Sequence, residues 1–167
     1  MGGAMFGKFA LNPAVQVIES EPDRGKVANT AWNGYNLINA LSLGAVATGW
    51  GAARLTEARP DRLSGRERDL AKVKDGFVIS TLLTGIASGI QGARLAKQAP
   101  DGAVPVESGV EPAEETPKKA ATIQRTLGVL GNLSIVSGVG LVVTNAILAQ
   151  TNHSRPPARR GILRRSG

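Results

Sequence analysis

Few residues in this sequence have the chemistry of an active site. Cysteine is absent, which removes thiolate metal ligands and thiol nucleophiles, and the single histidine, His153, lies at the start of a basic tail. Zinc binding and histidine-based acid–base catalysis therefore have almost no candidate residues. The adjacent carboxylates Glu114 and Glu115 lie in a proline-containing acidic stretch, where we expect no enclosed pocket to form around them.

Sequence motifs of common enzymes are also missing. The chain has no P-loop pattern, no HExxH, no GxSxG and no complete GxGxxG that follows a strand. We therefore predict a protein that is not an enzyme, with no catalytic residue, no metal site and no cofactor.

The charged residues are segregated into blocks, with long apolar stretches between them. Residues 27–53, 76–93 and 126–154 contain no Asp, Glu, Lys or Arg. A transmembrane helix needs about 20 apolar residues, with a range of about 17–25. A soluble amphipathic helix would instead present charged residues every three or four positions. The pattern predicts an all-α integral membrane bundle of three transmembrane helices, although a soluble helical bundle is the alternative.

A possible internal repeat relates the first two predicted spans. When the numbering is shifted by 40, eight of the nineteen positions from 43 to 61 are identical to positions 83 to 101. Each copy is an apolar run of small residues that ends in an arginine and then a proline, at Arg54 and Pro60 in the first copy. We predict that these two helices form an antiparallel hairpin.

Local capping signals set the expected limits of the helices. Pro22 with its flanking acids suits a first helical turn, Ser64 and Glu67 have capping-box spacing, and Thr116-Pro117 restarts a helix. The expected helices are 22–58, 65–98 and 117–150, with spans at about 32–54, 76–95 and 126–149. We predict three parts of the chain. They are an N-terminal interfacial or flexible segment (1–21), the membrane domain (22–150) with a flexible acidic loop (99–116), and a basic disordered tail (151–167).

Small residues at helical spacing mark the predicted helix-packing faces. Gly85 and Gly89 form a GxxxG motif, which lets helix backbones approach closely in lipid. The full set of predicted packing residues is Gly49, Ala53, Gly85, Gly89, Gly92, Ser134 and Gly138. Asn132 and Asn145 lie inside the third span and are expected to form helix-to-helix hydrogen bonds rather than ligand contacts.

Positive charge suggests the orientation of the chain. The formal net charge is +7, and the Lys and Arg residues divide eight against twelve between the two sides of a three-span topology. The positive-inside rule then places the N-terminus outside and the C-terminus in the cytoplasm. The tail arginines are expected to bind the lipid surface; they are Arg155, Arg159, Arg160, Arg164 and Arg165. No nucleic-acid partner is expected, because the tail has no aromatic residue to stack on bases.

Three functional hypotheses follow from these features. The first is a small non-catalytic protein of the cell membrane that packs against other transmembrane helices, either its own copies or a larger complex. The second is a pore, since the predicted topology, with its basic C-terminal tail, resembles that of the three-span holins of phages. The third is a small transporter, suggested by the possible antiparallel repeat. In each case the expected partners are the lipid bilayer and other transmembrane helices.

Overall fold

The computed structural model describes residues 2–99 and 104–153. About 80% of these residues are helical and none of them forms a strand, which confirms the all-α prediction. In chain order the helices are α1 (Gly2–Phe6), a π-helical turn (Gly7–Leu11), α2 (Asn12–Ala14), a 3₁₀ turn (Val15–Val17), α3 (Glu21–Leu55), α4 (Gly65–Ala96) and α5 (Lys118–His153).

α3 and α4 begin at the capping signals found in the sequence, whereas α5 begins at Lys118, one residue later than predicted, and the Thr116 hydroxyl donates to the carbonyl oxygen of Pro105 at 2.7 Å. The Ser20 side chain accepts a hydrogen bond from the backbone N–H of Asp23, with Pro22 in the first turn of α3. At the start of α4, one carboxylate oxygen of Glu67 accepts from the backbone N–H of Ser64 at 2.9 Å and from its hydroxyl at 2.8 Å. The predicted limits of all three long helices agree with the observed ones to within three residues.

The most extensive packing joins α4 to α5, which run antiparallel. The hydroxyls of Ser80 and Ser137 lie 2.7 Å apart across this contact, and the Phe77 ring lies directly against Gly140. The contact between α3 and α4 is smaller and includes Leu43, which packs against Gly85. α3, the predicted hairpin partner of α4, therefore packs less extensively against α4 than α5 does.

Two further segments cover the end of the bundle where α3 and α5 begin. Val104 and Ala120 form a small core with Ala99, just beyond the end of α4. The N-terminal segment, residues 2–17, lies along the first half of α3, with Gly7 against the ring of Trp32. A side chain at Gly7 would overlap that ring, so the close approach requires glycine there.

Two of the three predicted spans have the length and composition to cross a membrane. These are α4 and α5, and only 11% of the apolar window of each is buried inside the protein. The core helix of a soluble protein would be mostly buried. Among the described helices α3 does not meet the same criterion, because its asparagines, Trp32 and Tyr35 lower its hydropathy.

Candidate functional site

Near the end of the bundle where α3 and α4 are joined, Asp75 of α4 connects these two helices. One carboxylate oxygen of Asp75 accepts a hydrogen bond from the indole nitrogen of Trp50 at 2.7 Å. Its other oxygen lies 3.2 Å from a guanidinium nitrogen of Arg54. Arg54 also donates to the carbonyl oxygen of Ala58 at 2.6 Å, which ties down the chain just beyond α3. A single carboxylate on α4 thus holds two side chains of α3.

The neighbouring Lys74 extends this contact to the third helix. Its ammonium group donates to the side-chain oxygen of Asn145 on α5 at 2.7 Å and lies 3.8 Å from the centroid of the Trp50 ring. A cation over an indole face is stabilised by about 0.5–2 kcal/mol. The five residues of this hairpin-end cluster, which joins all three long helices, are Trp50, Arg54, Lys74, Asp75 and Asn145.

Burial shifts the pKa of Lys74. This residue precedes the uncharged stretch of α4 and so lies outside the predicted span. Loss of water around the ammonium group lowers the pKa of Lys74, and the negative charges of Asp75 and Glu57 oppose this shift. The residue is 9% exposed. The bond to Asn145 and the Trp50 ring therefore replace water around a buried cation.

Helical spacing explains why these residues meet. Trp50 and Arg54 are four residues apart and so lie on one face of α3. Lys74 and Asp75 are the last charged residues before the uncharged stretch of α4. Lys74 contacts both Trp50 of α3 and Asn145 of α5, whereas Asp75 contacts Trp50 and Arg54 of α3. The sequence analysis missed this cluster, although an aromatic and a basic residue at i and i+4 opposite an acid was a usable signal.

A groove of about 970 Å³ opens beside the cluster. One side is formed by small residues of α3, including Val46 and Gly49, and the other by Leu141 and Val142 of α5. At the end nearest the α3–α4 turn, the groove is lined by charged side chains, which are Glu57, Arg62 and Lys74. This hairpin-end groove therefore combines apolar side chains of α3 and α5 with a group of charged side chains near the α3–α4 turn.

The predicted packing residues occupy different environments. Gly85 lies against Leu43 of α3, whereas an added Cβ at Gly49, Gly89 or Gly92 would meet no atom within 4 Å. Ala53 and Gly49 line the hairpin-end groove. On α5, Gly138 is buried and Ser134 is half-buried.

The two asparagines of the third span both accept hydrogen bonds from lysines. The predicted helix-to-helix bond of Asn145 is confirmed by its contact with Lys74. Asn132 accepts from Lys8, which belongs to the N-terminal segment. The five tail arginines, from Arg155 to Arg165, lie outside the described residues.

Within residues 2–99 and 104–153, no three acidic or histidine side chains lie close enough together to hold a metal ion. No protein-family model, curated protein or solved structure matches this chain.

Proposed function

We propose that this chain is a non-catalytic integral membrane protein that crosses the cell membrane three times and associates through its spans with other transmembrane helices. The observation that carries the proposal is the exposure of α4 and α5, whose apolar windows are only 11% buried. Side chains such as Leu83, Ile86 and Val136 are more than half exposed. In water such surfaces are unfavourable, while lipid or another helix would cover them.

Two observations support α3 as the third span. It runs alongside α4, and Leu37, Ile38 and Leu41 project from it with at least 60% of their surface exposed. Trp32 and Trp50 are separated by about 27 Å along the axis, given about 1.5 Å per residue. Aromatic residues favour the membrane–water interface, and this separation is close to one hydrocarbon thickness of about 30 Å.

The second half of α4 offers a face for self-association. Gly85 is occupied within the chain by Leu43, but Gly89 is exposed and Gly92 has open space beside it. Small residues at this spacing allow another helix to approach closely. The same motif therefore serves two contacts in this proposal, one inside the chain at Gly85 and one between chains at Gly89.

Membrane insertion is tested by extraction. The protein should remain with membranes after carbonate treatment at high pH, which releases peripheral proteins. A tag at each terminus, probed with protease in intact cells and in inverted vesicles, should place the two termini on opposite sides of the membrane, with the C-terminus in the cytoplasm, as an odd number of crossings requires. Release of the protein by carbonate, or both tags on one side, would contradict the proposal.

Self-association is tested by replacing Gly89 with Leu. The bulky side chain should reduce the oligomer size measured in mild detergent and leave the monomer folded, because no atom of the described residues lies within 4 Å of a Cβ added at this position. Gly44→Leu is the matched control, since Gly44 is also exposed on a long helix with no atom within 4 Å of an added Cβ. An unchanged oligomer in Gly89→Leu would show that this face meets lipid.

A pore is the second candidate, favoured by polar side chains on the outside of α3. Asn33 and Asn36 are both exposed, and in an oligomer their amides would pair with another helix or line a water path. Release of a small dye from liposomes that contain the purified protein would support the pore, and retention of the dye would exclude it.

A further inference from the structure

The hairpin-end groove combines the two kinds of surface that a lipid presents. Its length is lined by apolar side chains such as Val46 and Leu141, and its end carries Lys74, Arg62 and Glu57. The volume of about 970 Å³ lies within the range of ligand sites, about 300–1,000 Å³. An amphiphile would place its chain between α3 and α5 and its head at the charged end.

The charges at that end favour an anionic head. Neither Lys74 nor Arg62 forms an ion pair with any described residue. Asp75, which is next to Lys74, already contacts Arg54 and Trp50 through its two oxygens. Glu57 is the one acid among the described residues that line the groove, so Lys74 and Arg62 together leave an excess of one positive charge there.

The position of Lys74 on α4 also matches a lipid head. Lys74 immediately precedes the charge-free stretch 76–93, so its ammonium would lie at the headgroup level. The apolar residues of the groove continue from there toward the hydrocarbon. A basic pocket between transmembrane helices on the cytoplasmic side is a known form of anionic-lipid site.

We propose that the hairpin-end groove binds one anionic phospholipid, with its phosphate at the end of the groove that carries Lys74 and Arg62 and an acyl chain between α3 and α5. The proposal rests on the membrane location proposed above. A helix from a second copy fits the groove less well, because the segment from Arg54 to Asp75, which contains the α3–α4 turn, carries seven basic and five acidic residues. A second copy of that turn would bring like charge to the same place.

Lipid binding is tested by native mass spectrometry of the detergent-purified full-length protein, with phosphatidylglycerol and phosphatidylcholine as the two probes. The wild-type protein should retain one phosphatidylglycerol at lower lipid concentrations than phosphatidylcholine. Arg62→Gln should weaken phosphatidylglycerol binding about fivefold, the effect of one basic residue near an anionic lipid, and leave phosphatidylcholine unchanged. Arg66→Gln is the matched control, since Arg66 is exposed in the first turn of α4 and does not line the groove.

A second variant tests the acyl-chain part of the site. Val46→Trp fills the groove and should abolish retention of both lipids, while circular dichroism verifies that the helices persist. Equal retention of the two lipids by the wild-type protein, or equal effects of Arg62→Gln and Arg66→Gln, would overturn the lipid site. Cross-linking between copies through Val46→Cys and Val142→Cys would assign the groove to a second copy and also overturn it. These results leave the membrane proposal standing, whereas release by carbonate would remove both.

Discussion

The indole nitrogen of Trp50 donates a hydrogen bond to Asp75 at 2.7 Å and thereby closes the turn between α3 and α4. The contact between these two helices is smaller than the contact between α4 and α5, and the Asp75 carboxylate joins two side chains of α3 to α4 across it. Arg54 binds the second oxygen of the same carboxylate. Loss of the charge at position 75 therefore weakens both bonds together.

Asp75→Asn should lower the free energy of unfolding by about 1–3 kcal/mol, because hydrogen bonds to a charged acceptor are stronger than neutral ones. Thermal unfolding in detergent, followed by tryptophan fluorescence, measures the change. Asp69→Asn is the control, since Asp69 forms a well-exposed pair with Lys72 at 3.6 Å and such pairs contribute little. Equal effects of the two substitutions would show that the Trp50–Asp75 contact is not a stabilising one.

Gly140→Leu should separate α4 from α5, because a side chain there would overlap the ring of Phe77. Overpacking of this kind costs about 1–3 kcal/mol. The chain has no cysteine, so a Ser80→Cys, Ser137→Cys pair reports the separation as slower oxidative cross-linking. Gly131→Leu on the same helix has open space around it and should leave the cross-linking rate unchanged. A similar loss of cross-linking in both variants would contradict the observed packing.

Gln124→Met should stabilise the protein. The Gln124 side chain is 1% exposed, and neither its amide nitrogen nor its oxygen has a hydrogen-bond partner among the described residues. An unsatisfied buried polar group costs about 1–3 kcal/mol, which an apolar side chain of similar length recovers. Gln150→Met on the exposed face of α5 should change the melting temperature little. A lower melting temperature for Gln124→Met would indicate that the amide binds an internal water.

Glu67→Ala should destabilise the start of α4 by about 1–2 kcal/mol, since this carboxylate accepts both hydrogen bonds from Ser64. Glu67→Gln keeps an acceptor with the right reach for the capping box and should retain most of that stability. Hydrogen exchange of the first amides of α4 distinguishes a local effect from a global one. Equal exchange in the two variants would mean that the cap contributes nothing there.

Helix limits could be predicted from the sequence, while most of the helix partners could not. Capping depends on residues a few positions apart, so Ser64 and Glu67 located the start of α4 without knowledge of the rest of the fold. A run of small residues indicates that another helix packs closely against that face, but the spacing does not identify which helix it is. Gly85 meets α3 as expected, whereas the larger contact of α4 is with α5 at Gly140, where the partner is the Phe77 ring. The hairpin-end cluster also depends on contacts between residues that are distant in sequence. Lys74 and Asn145, for example, are 71 positions apart.

The bond between Lys8 and Asn132 has a consequence for biogenesis, because 124 positions separate the two residues. The N-terminal segment is synthesised well before its partner on α5. At about 5–20 residues per second, the segment waits on the order of 6–25 s before Asn132 emerges. During that interval Phe6 and Phe9 have no α5 beside them, and even in the finished fold they are 64% and 65% exposed. Docking of the N-terminal segment onto α5 is therefore a late step in the folding of this chain, since it requires α5 to have been synthesised as far as Asn132.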